Sequence, residues 1–455
     1  MPNITVDWHS KTPLAEQLSA IIRRRYVQDA AAGDRLPTEY QLAAEFGVNR
    51  TIARRAVELL RKDGAVLRRP RHGTFIAAGV KKPLALAYFE EKKYSFADLL
   101  DRFERACPAV RLERIALPVN GYCEITRQMM ADGKLDLLRV SASLFRGYDA
   151  AAEFMSLNGL GRKYATVTHA APWAAFRLKK TRYGLPLAFG PVVVAYNRDL
   201  FRAAGVGFPE DGWTLAGFAD KAARLTRSPA GAAQPEQYGF LCPNLIYRWM
   251  MFVYSHGGKL WDAARGNFAL TAPAGMAGLN FMRGMVEQKT CAPLLGVADP
   301  YRLFVRGKAA MTLISYHTMT TLRPAIRFDW DVAPFPAGRH PARLMIVDGL
   351  AIARTTANLE AAAAFLDFCL GDEAQSCIAA QRGPIPARAG LDLPAGAPAP
   401  AHYNLYENPA GPACFPELPL GDHRERVAAD ETMLYVNGMQ SAAEFCANLA
   451  AAPTA

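Results

Sequence analysis

Apolar residues recur at helical spacing in three short stretches near the start of the chain. Leu14, Leu18, Ile21 and Ile22 fall at i, i+4, i+7 and i+8, the stripe of an amphipathic helix. Leu42 and Phe46 mark a second, shorter helix. Ile52, Ala53, Ala56, Leu59 and Leu60 share one face of a third, read at about 100° per residue. Arg50, Thr51, Arg54 and Arg61 take its opposite face. That helix has a dry side for packing and a basic side open to an anion. The punctuation between the stripes agrees. Pro13 can open the first helix, because a first-turn residue needs no amide donor. Thr38 and Gln41 have capping-box spacing, and Gly47 suits the left-handed end of a helix. Asn49 can cap the third helix, and Gly64 stops it. LRRPRHGTFIA then predicts two short strands around Arg71-His72-Gly73.

From Pro83 onward the period changes. PLALAYF reads as a strand, SFADLLDRFERAC as an amphipathic helix and VRLERIAL as a second strand. ITRQMMADG follows as a helix and LDLLRV as a third strand. Strand–helix alternation predicts α/β architecture with largely parallel sheets. Residues 389–404 are rich in Pro and Ala and read as a surface loop, and AAEFCANLAAAPTA as a last helix with a frayed tail. Between the two regimes lies a short link, 77–82, with Gly79 its one flexible point, so the parts are expected to be tightly coupled.

Charge sharpens this division. The chain of 455 residues carries a net charge of +11. Residues 1–82 hold fifteen Lys and Arg against eight Asp and Glu, a net of +7, which leaves +4 for the remainder. A basic head on a nearly neutral body suggests that the head meets a polyanion. The eight cysteines form no CxxC pair and match no zinc spacing. Scattered thiols fit a reducing compartment. The N-terminus lacks a basic segment followed by an apolar one, and no run of 18 apolar residues occurs. A cytoplasmic protein with no membrane association is therefore expected. No GxSxG, HExxH, P-loop or dinucleotide fingerprint is present, so no catalytic residue, metal or cofactor is expected.

The first part resembles the GntR family of bacterial transcription regulators. The matching residues are Pro13-Leu14, Gly33 to Glu39, Leu42-Ala43, Phe46 to Thr51, Arg54-Arg55-Ala56, Leu60, Gly64 and His72 to Phe75. The resemblance implies a winged helix-turn-helix that binds palindromic operators in double-stranded DNA as a homodimer. Arg50 and Arg54, near the start of the third helix, would enter the major groove and reach guanine edges or phosphates. Asn49 and Thr51 suit phosphate or base-edge contacts. Glu39 stands where the family places a residue facing DNA. Arg71, His72 and Gly73 would form the wing tip. Tyr40 replaces an Arg, and Ile52 a Thr, that many relatives carry.

The body resembles the family 1 extracellular solute-binding proteins, the receptors of sugar transporters. Phe103 to Pro108, Ala131 to Asp136, Tyr183 to Pro186, Ala195 to Phe201 and Trp213 to Leu215 match in order. Tyr238 to Phe240, Gly257 to Trp261, Phe304 to Met311, Ala333 to Pro336, Asp348 to Leu350 and Gly383 to Ala387 complete the series. The implied fold is α/β and multidomain. It comprises a winged helix-turn-helix over 1–78, a link over 79–82 and a periplasmic-binding-protein-like (type II) two-lobed α/β body over 83–455. The crossings between lobes are expected near 189–194 and 334–348. The family's contact loops imply ligand contacts at Phe89 and Glu90, Ser141 and Ser143, Phe189, Tyr247 and Trp249. They also imply Ser315, Tyr316 and His317, and Asp348 with Gly349. Trp213, Trp261 and Trp330 are expected to pack in the core. Gly190 and Val140 stand where some maltodextrin receptors carry a contacting Glu and a Trp.

Together these readings predict a transcriptional regulator that senses a small molecule, a sugar, in its body. The alternatives are a cytosolic solute-binding protein whose head serves another partner, and a DNA-binding protein whose body lacks a ligand and only dimerises.

Overall fold

The structure is a computed structural model. It describes the whole chain except residues 1–5, 9, 11, 28–29, 31–32, 63, 71, 78–81, 90–95, 297–298, 382, 392–422 and 453–455. The chain divides into two compact units, Met1–Leu84 with Phe103–Glu113, and Ala85–Arg102 with Arg114–Ala455.

In the first unit, helices α1 (Leu14–Ile22), α2 (Glu39–Phe46) and α3 (Arg50–Lys62) precede a hairpin of β1 (Val66–Arg69) and β2 (Gly73–Ile76). The capping box at Thr38 and Gln41 is formed, and Gly47 closes α2 at φ +63°. Asn49 Oδ1 accepts the backbone N–H of Ile52 at 2.9 Å, which satisfies one of the free donors at the start of α3. The three stripes meet as expected. Leu18 and Ile22 from α1, Leu42 and Phe46 from α2, and Ala53, Ala56, Val57 and Leu60 from α3 share one core with Val66 and Ile76. Past Ile22 the chain continues as a π-helical turn, Arg23–Val27, which buries Val27. Helical spacing of apolar residues does not distinguish that turn from an α-helical one.

The body opens with β3 (Lys82–Phe89), α4 (Phe96–Ala106), β4 (Val110–Leu117), α5 (Tyr122–Ala131) and β5 (Leu137–Ser141). Its spine is β6 (Leu185–Asn197), a strand of 13 residues. Later strands are β7 (Tyr238–Leu241), β8 (Cys291–Ala292), β9 (Ala309–Ser315), β10 (Trp330–Ala333), β11 (Met345–Ile352) and β12 (Ile385–Pro386). β6 serves two lobes. Its first half, Leu185 to Pro191, pairs with β11, which in turn pairs with β5, and β5 with β3. Its second half, Val192 to Tyr196, pairs with β9, whose other neighbour is β7, and β7 pairs with β8. The partner of β6 thus changes from β11 to β9 between Pro191 and Val192.

The sheet is mixed, where largely parallel sheets were expected. The β3–β5, β7–β9 and β7–β8 pairs are parallel, but every pairing of β6 is antiparallel. The reason is topological, since a strand that runs through both lobes is paired by strands returning along it. Both faces of its second half are buried. Val192, Val194 and Tyr196 face one apolar cluster, and Val193 and Ala195 the other. That explains the uninterrupted apolar run there.

Helix α6 (Ile246–Ser255) packs on α7 (Pro273–Glu287) in the second lobe. The C-terminal helices α8 (His423–Val436) and α9 (Ala442–Ala451) complete that lobe, adding Ala428, Tyr435, Val436, Phe445 and Leu449 to its core. α8 escaped the sequence reading because its apolar residues form no clear stripe. Trp213 is buried, and its indole N–H donates to the Pro334 carbonyl at 2.9 Å. Trp261 and Trp330 are half-buried. Most of the Pro/Ala-rich stretch 389–404 lies outside the described residues.

Candidate functional site

The head presents one basic surface. Asn49, Arg50, Thr51, Arg54 and Arg55 are all exposed on or beside the first two turns of α3, while Ala53 and Ala56 between them are buried. Arg50 is held in place. Its Nη1 donates to the Tyr40 hydroxyl at 3.1 Å, and its guanidinium lies 4.3 Å from the centre of the Tyr40 ring. Tyr40 thus supports Arg50 on the exposed face. Glu39 is mostly shielded and lies between two cations, 3.7 Å from Arg50 and 3.9 Å from Arg68. Exposed pairs of this kind contribute about 0–1 kcal/mol, so they exchange easily for a polyanion. At the hairpin tip, His72 is exposed and Gly73 has φ +113°, a conformation that favours glycine. Arg71 lies outside the described residues.

The body contains a cavity of about 190 Å³ between its lobes. One wall comes from the first lobe: Phe89 at the end of β3, Ser141 and Ser143 at the end of β5, and Ile346 to Asp348 in β11. The other comes from the second lobe: Leu245 to Arg248 at the start of α6, and Ser315 and His317 after β9. Glu425 of α8 also borders it. Of the expected contacts, Phe89, Ser141, Ser143, Tyr247, Ser315, His317 and Asp348 come together here. Glu90 lies outside the described residues. A second hollow of about 350 Å³, bordered by Leu241, Cys242, Pro243 and Ala292, gathers none of them.

Phe189, Trp249, Tyr316 and Gly349 do not border the cavity. Phe189 is buried, with its ring edge-on to His169. Trp249 and Tyr316 are fully buried. A Cβ on Gly349 would lie 2.4 Å from the Phe176 ring and 2.6 Å from the Leu185 carbonyl, so this glycine permits close packing. Trp249, Tyr316 and Gly349 each stand next to a lining residue, where alternation along a strand or helix turns one neighbour inward and the next away.

Register explains the polar centre. Asp348 pairs directly with Ser141 across β11 and β5, and Arg139, two residues earlier, shares the face of Ser141. Arg139 Nη2 donates to Asp348 Oδ2 at 2.7 Å, and both side chains are almost wholly buried. The guanidinium also lies 4.1 Å from the Phe89 ring centre and donates to the Phe89 carbonyl at 3.2 Å. His317 Nε2 lies 3.6 Å from the same carboxylate. Burial alone would raise the Asp348 carboxyl, but Arg139 and His317 outweigh it and hold the group well below the usual carboxylate range. Asp348 is therefore an ionised residue already engaged by the protein. On the opposite wall Arg248 donates to the hydroxyls of Tyr301, Ser315 and Thr318.

Arg139 and Glu425 were not named from sequence, and Arg248 fell only within the expected stretch Tyr247 to Trp249. The two arginines carried a usable signal. Each is a lone charge inside an apolar run, LLRV and IYRWMMFVY, and a charge in a buried run requires a partner or a task. Glu425 carried none.

Gly190 sits at the lobe crossing. A Cβ there would approach His317 Nδ1 to 2.7 Å and Tyr316 Cβ to 2.9 Å. The space that a side chain at this position would need is thus occupied by the imidazole of His317. Gly190→Ala is expected to displace His317 and destabilise the body by about 1–3 kcal/mol, the usual range for overpacking. Chemical denaturation measures this, and an unchanged midpoint would mean that the ring moves freely.

Comparison with known proteins follows the same division. The family described as bacterial extracellular solute-binding protein matches residues 87–376. The gntR family of bacterial regulatory proteins matches residues 14–76. A binding protein of Brucella abortus (strain 2308) is 26% identical over 200 residues, 41% of this chain and 46% of that protein. The chain thus spans less than half the length of the curated relatives it matches. The substrate-binding protein Lmo0181 of Listeria monocytogenes, in complex with cycloalternan, is similar in structure, with a TM-score of 0.65 and 19% identity. That match covers 80% of this chain and 96% of the other. The GacH receptor of Streptomyces glaucescens, solved unliganded and with acarbose, gives a TM-score of 0.66 at 18% identity, covering 80% and 96%. These two likenesses concern the fold. With more than half of its length matched by one family and its head by another, the chain belongs to the bacterial extracellular solute-binding proteins and carries an N-terminal gntR-family regulatory domain.

Proposed function

We propose that this protein is a ligand-responsive transcription regulator, in which a small carbohydrate held in the cleft of the body controls binding of the head to a palindromic operator. The single observation that carries the reading is that one chain joins a gntR-family domain to a solute-binding body whose cleft sets serine, histidine and charged side chains among apolar ones. A transport receptor has no use for a DNA-binding head, and a simple repressor has none for a solute cleft. The cavity wall supports the carbohydrate reading. Phe89 and Tyr247 offer apolar ring surface, and Ser141, Ser143 and Ser315 offer hydroxyls. The cycloalternan and acarbose complexes of similarly folded proteins point the same way. A homodimer working in the cytoplasm completes the proposal, since a palindrome demands two-fold symmetry.

Ligand binding at the cleft and DNA binding at the head are linked reciprocally. A coupling of about 1.4 kcal/mol changes operator affinity tenfold. In gel shifts of the full chain on promoter fragments, one effector sugar is expected to move the midpoint by about that factor. Sequence-specific binding that no sugar alters would leave a DNA-binding protein without a sensor. Absence of any specific binding would sink the regulator.

A further inference from the structure

The cleft contains a positive charge that has no counter-charge among the described residues. Arg248 lies in the first turn of α6, is 3% exposed and borders the cavity. Its guanidinium donates to the hydroxyls of Tyr301 and Ser315 at 3.1 Å, to that of Thr318 at 3.3 Å and to the Tyr247 carbonyl at 3.4 Å. All four partners are neutral. Among the described residues no carboxylate stands within ion-pair distance of Arg248, in contrast to Arg139, which faces Asp348. A buried charge is normally paired, because neutral dipoles recover only part of its lost hydration. Asp348 is engaged by Arg139, and Glu425 borders the cavity beyond ion-pair reach of Arg248.

A second, independent feature has the same sign. Leu245, Ile246 and Tyr247, at the start of the same ten-residue helix, border the cavity, and no side chain caps that helix end. Its first-turn N–H groups and the positive end of its dipole favour an anion there.

We infer that the effector is a small polyol bearing an oxyanion, a phosphate or a carboxylate, whose charged group docks on Arg248 and the first turn of α6. This rests on the sensor reading above and narrows its ligand class. Those four bonds leave the guanidinium one Nη1 hydrogen and its full charge to offer, which suits either oxyanion.

Calorimetry on the full chain tests this with matched pairs: glucose 6-phosphate and glucuronate against glucose, and glycerol 3-phosphate against glycerol, with inorganic phosphate alone beside them. At least one anionic member is expected to bind about tenfold or more tighter than its neutral parent. Arg248→Gln is expected to erase that preference, bringing the ratio of anionic to neutral affinity down to about one whatever the absolute affinities. Should R248Q fail to fold, R248K carries the test, retaining a charge without the guanidinium and therefore a weakened preference. Neutral sugars that bind as tightly as their anionic partners would overturn the oxyanion and leave the sensor intact. So would inorganic phosphate binding that is indifferent to Arg248. If no member of any pair binds, the sensor reading falls together with it.

Discussion

Asp348→Asn is expected to lower the stability of the body by about 3–5 kcal/mol, the usual loss when one partner of a buried ion pair is removed. The substitution keeps the shape of the side chain and deletes its charge. Arg139, only 1% exposed and 2.7 Å from that carboxylate, would then keep a buried positive charge without it. Urea denaturation of the full chain reads the effect as a lower midpoint for the body. A double replacement, Arg139→Met with Asp348→Leu, separates charge from packing. It is expected to recover most of the loss, because well-packed apolar residues often substitute for a buried pair without penalty. A loss below about 1 kcal/mol in D348N would mean that the guanidinium is satisfied elsewhere. Acid acts on the same pair. The Asp348 carboxyl is depressed in the folded state, so its contribution is fully present above the ordinary aspartate value of about 3.9. It is lost as the pH falls below that value towards the lowered folded one, and the D348N variant is expected to lack this part of the acid sensitivity.

Arg54→Ala is expected to weaken operator binding by about 1–3 kcal/mol, roughly fivefold to more than a hundredfold, if the side chain reads a base edge. A phosphate contact would instead weaken all sequences alike and reduce the salt dependence by about one charge. Arg54 is exposed on α3, one turn after Arg50. No ion pair or ring contact holds it among the described residues, so its loss leaves the head core untouched. Thermal shifts with the effector should therefore match those of the unaltered protein. Fluorescence anisotropy on operator and scrambled duplexes distinguishes the two roles. Equal operator affinity in R54A would remove Arg54 from the interface.

The head was readable almost residue by residue. Its helices are short, each carries its own stop and start signals, and its core residues repeat at helical spacing. The capping oxygens of Thr38 and Asn49 act within three residues of themselves, which is why sequence alone locates them. The cleft was readable only in outline. The loops after β3, β5 and β9 were expected at the site, and Phe89, Ser141, Ser143, Ser315 and His317 border it. Which residue of each loop turns inward was less legible. The family's contact loops imply Trp249 and Tyr316, yet each is fully buried next to a lining neighbour. The π-helical turn at Arg23–Val27 and the antiparallel pairings of β6 left no local trace in the sequence.

By itself the sequence determined the two-part plan, the basic face of α3, the caps and stops of the head helices and the order of strands in the early body. Each of these depends on neighbours a few residues apart or on overall composition. Only the tertiary structure decided which charges are matched. Arg139 and Asp348 are 209 residues apart in the chain, and Arg248 and Ser315 are 67 apart. Coulomb energy and desolvation depend on distance in space, and strand register and lobe crossing set that distance.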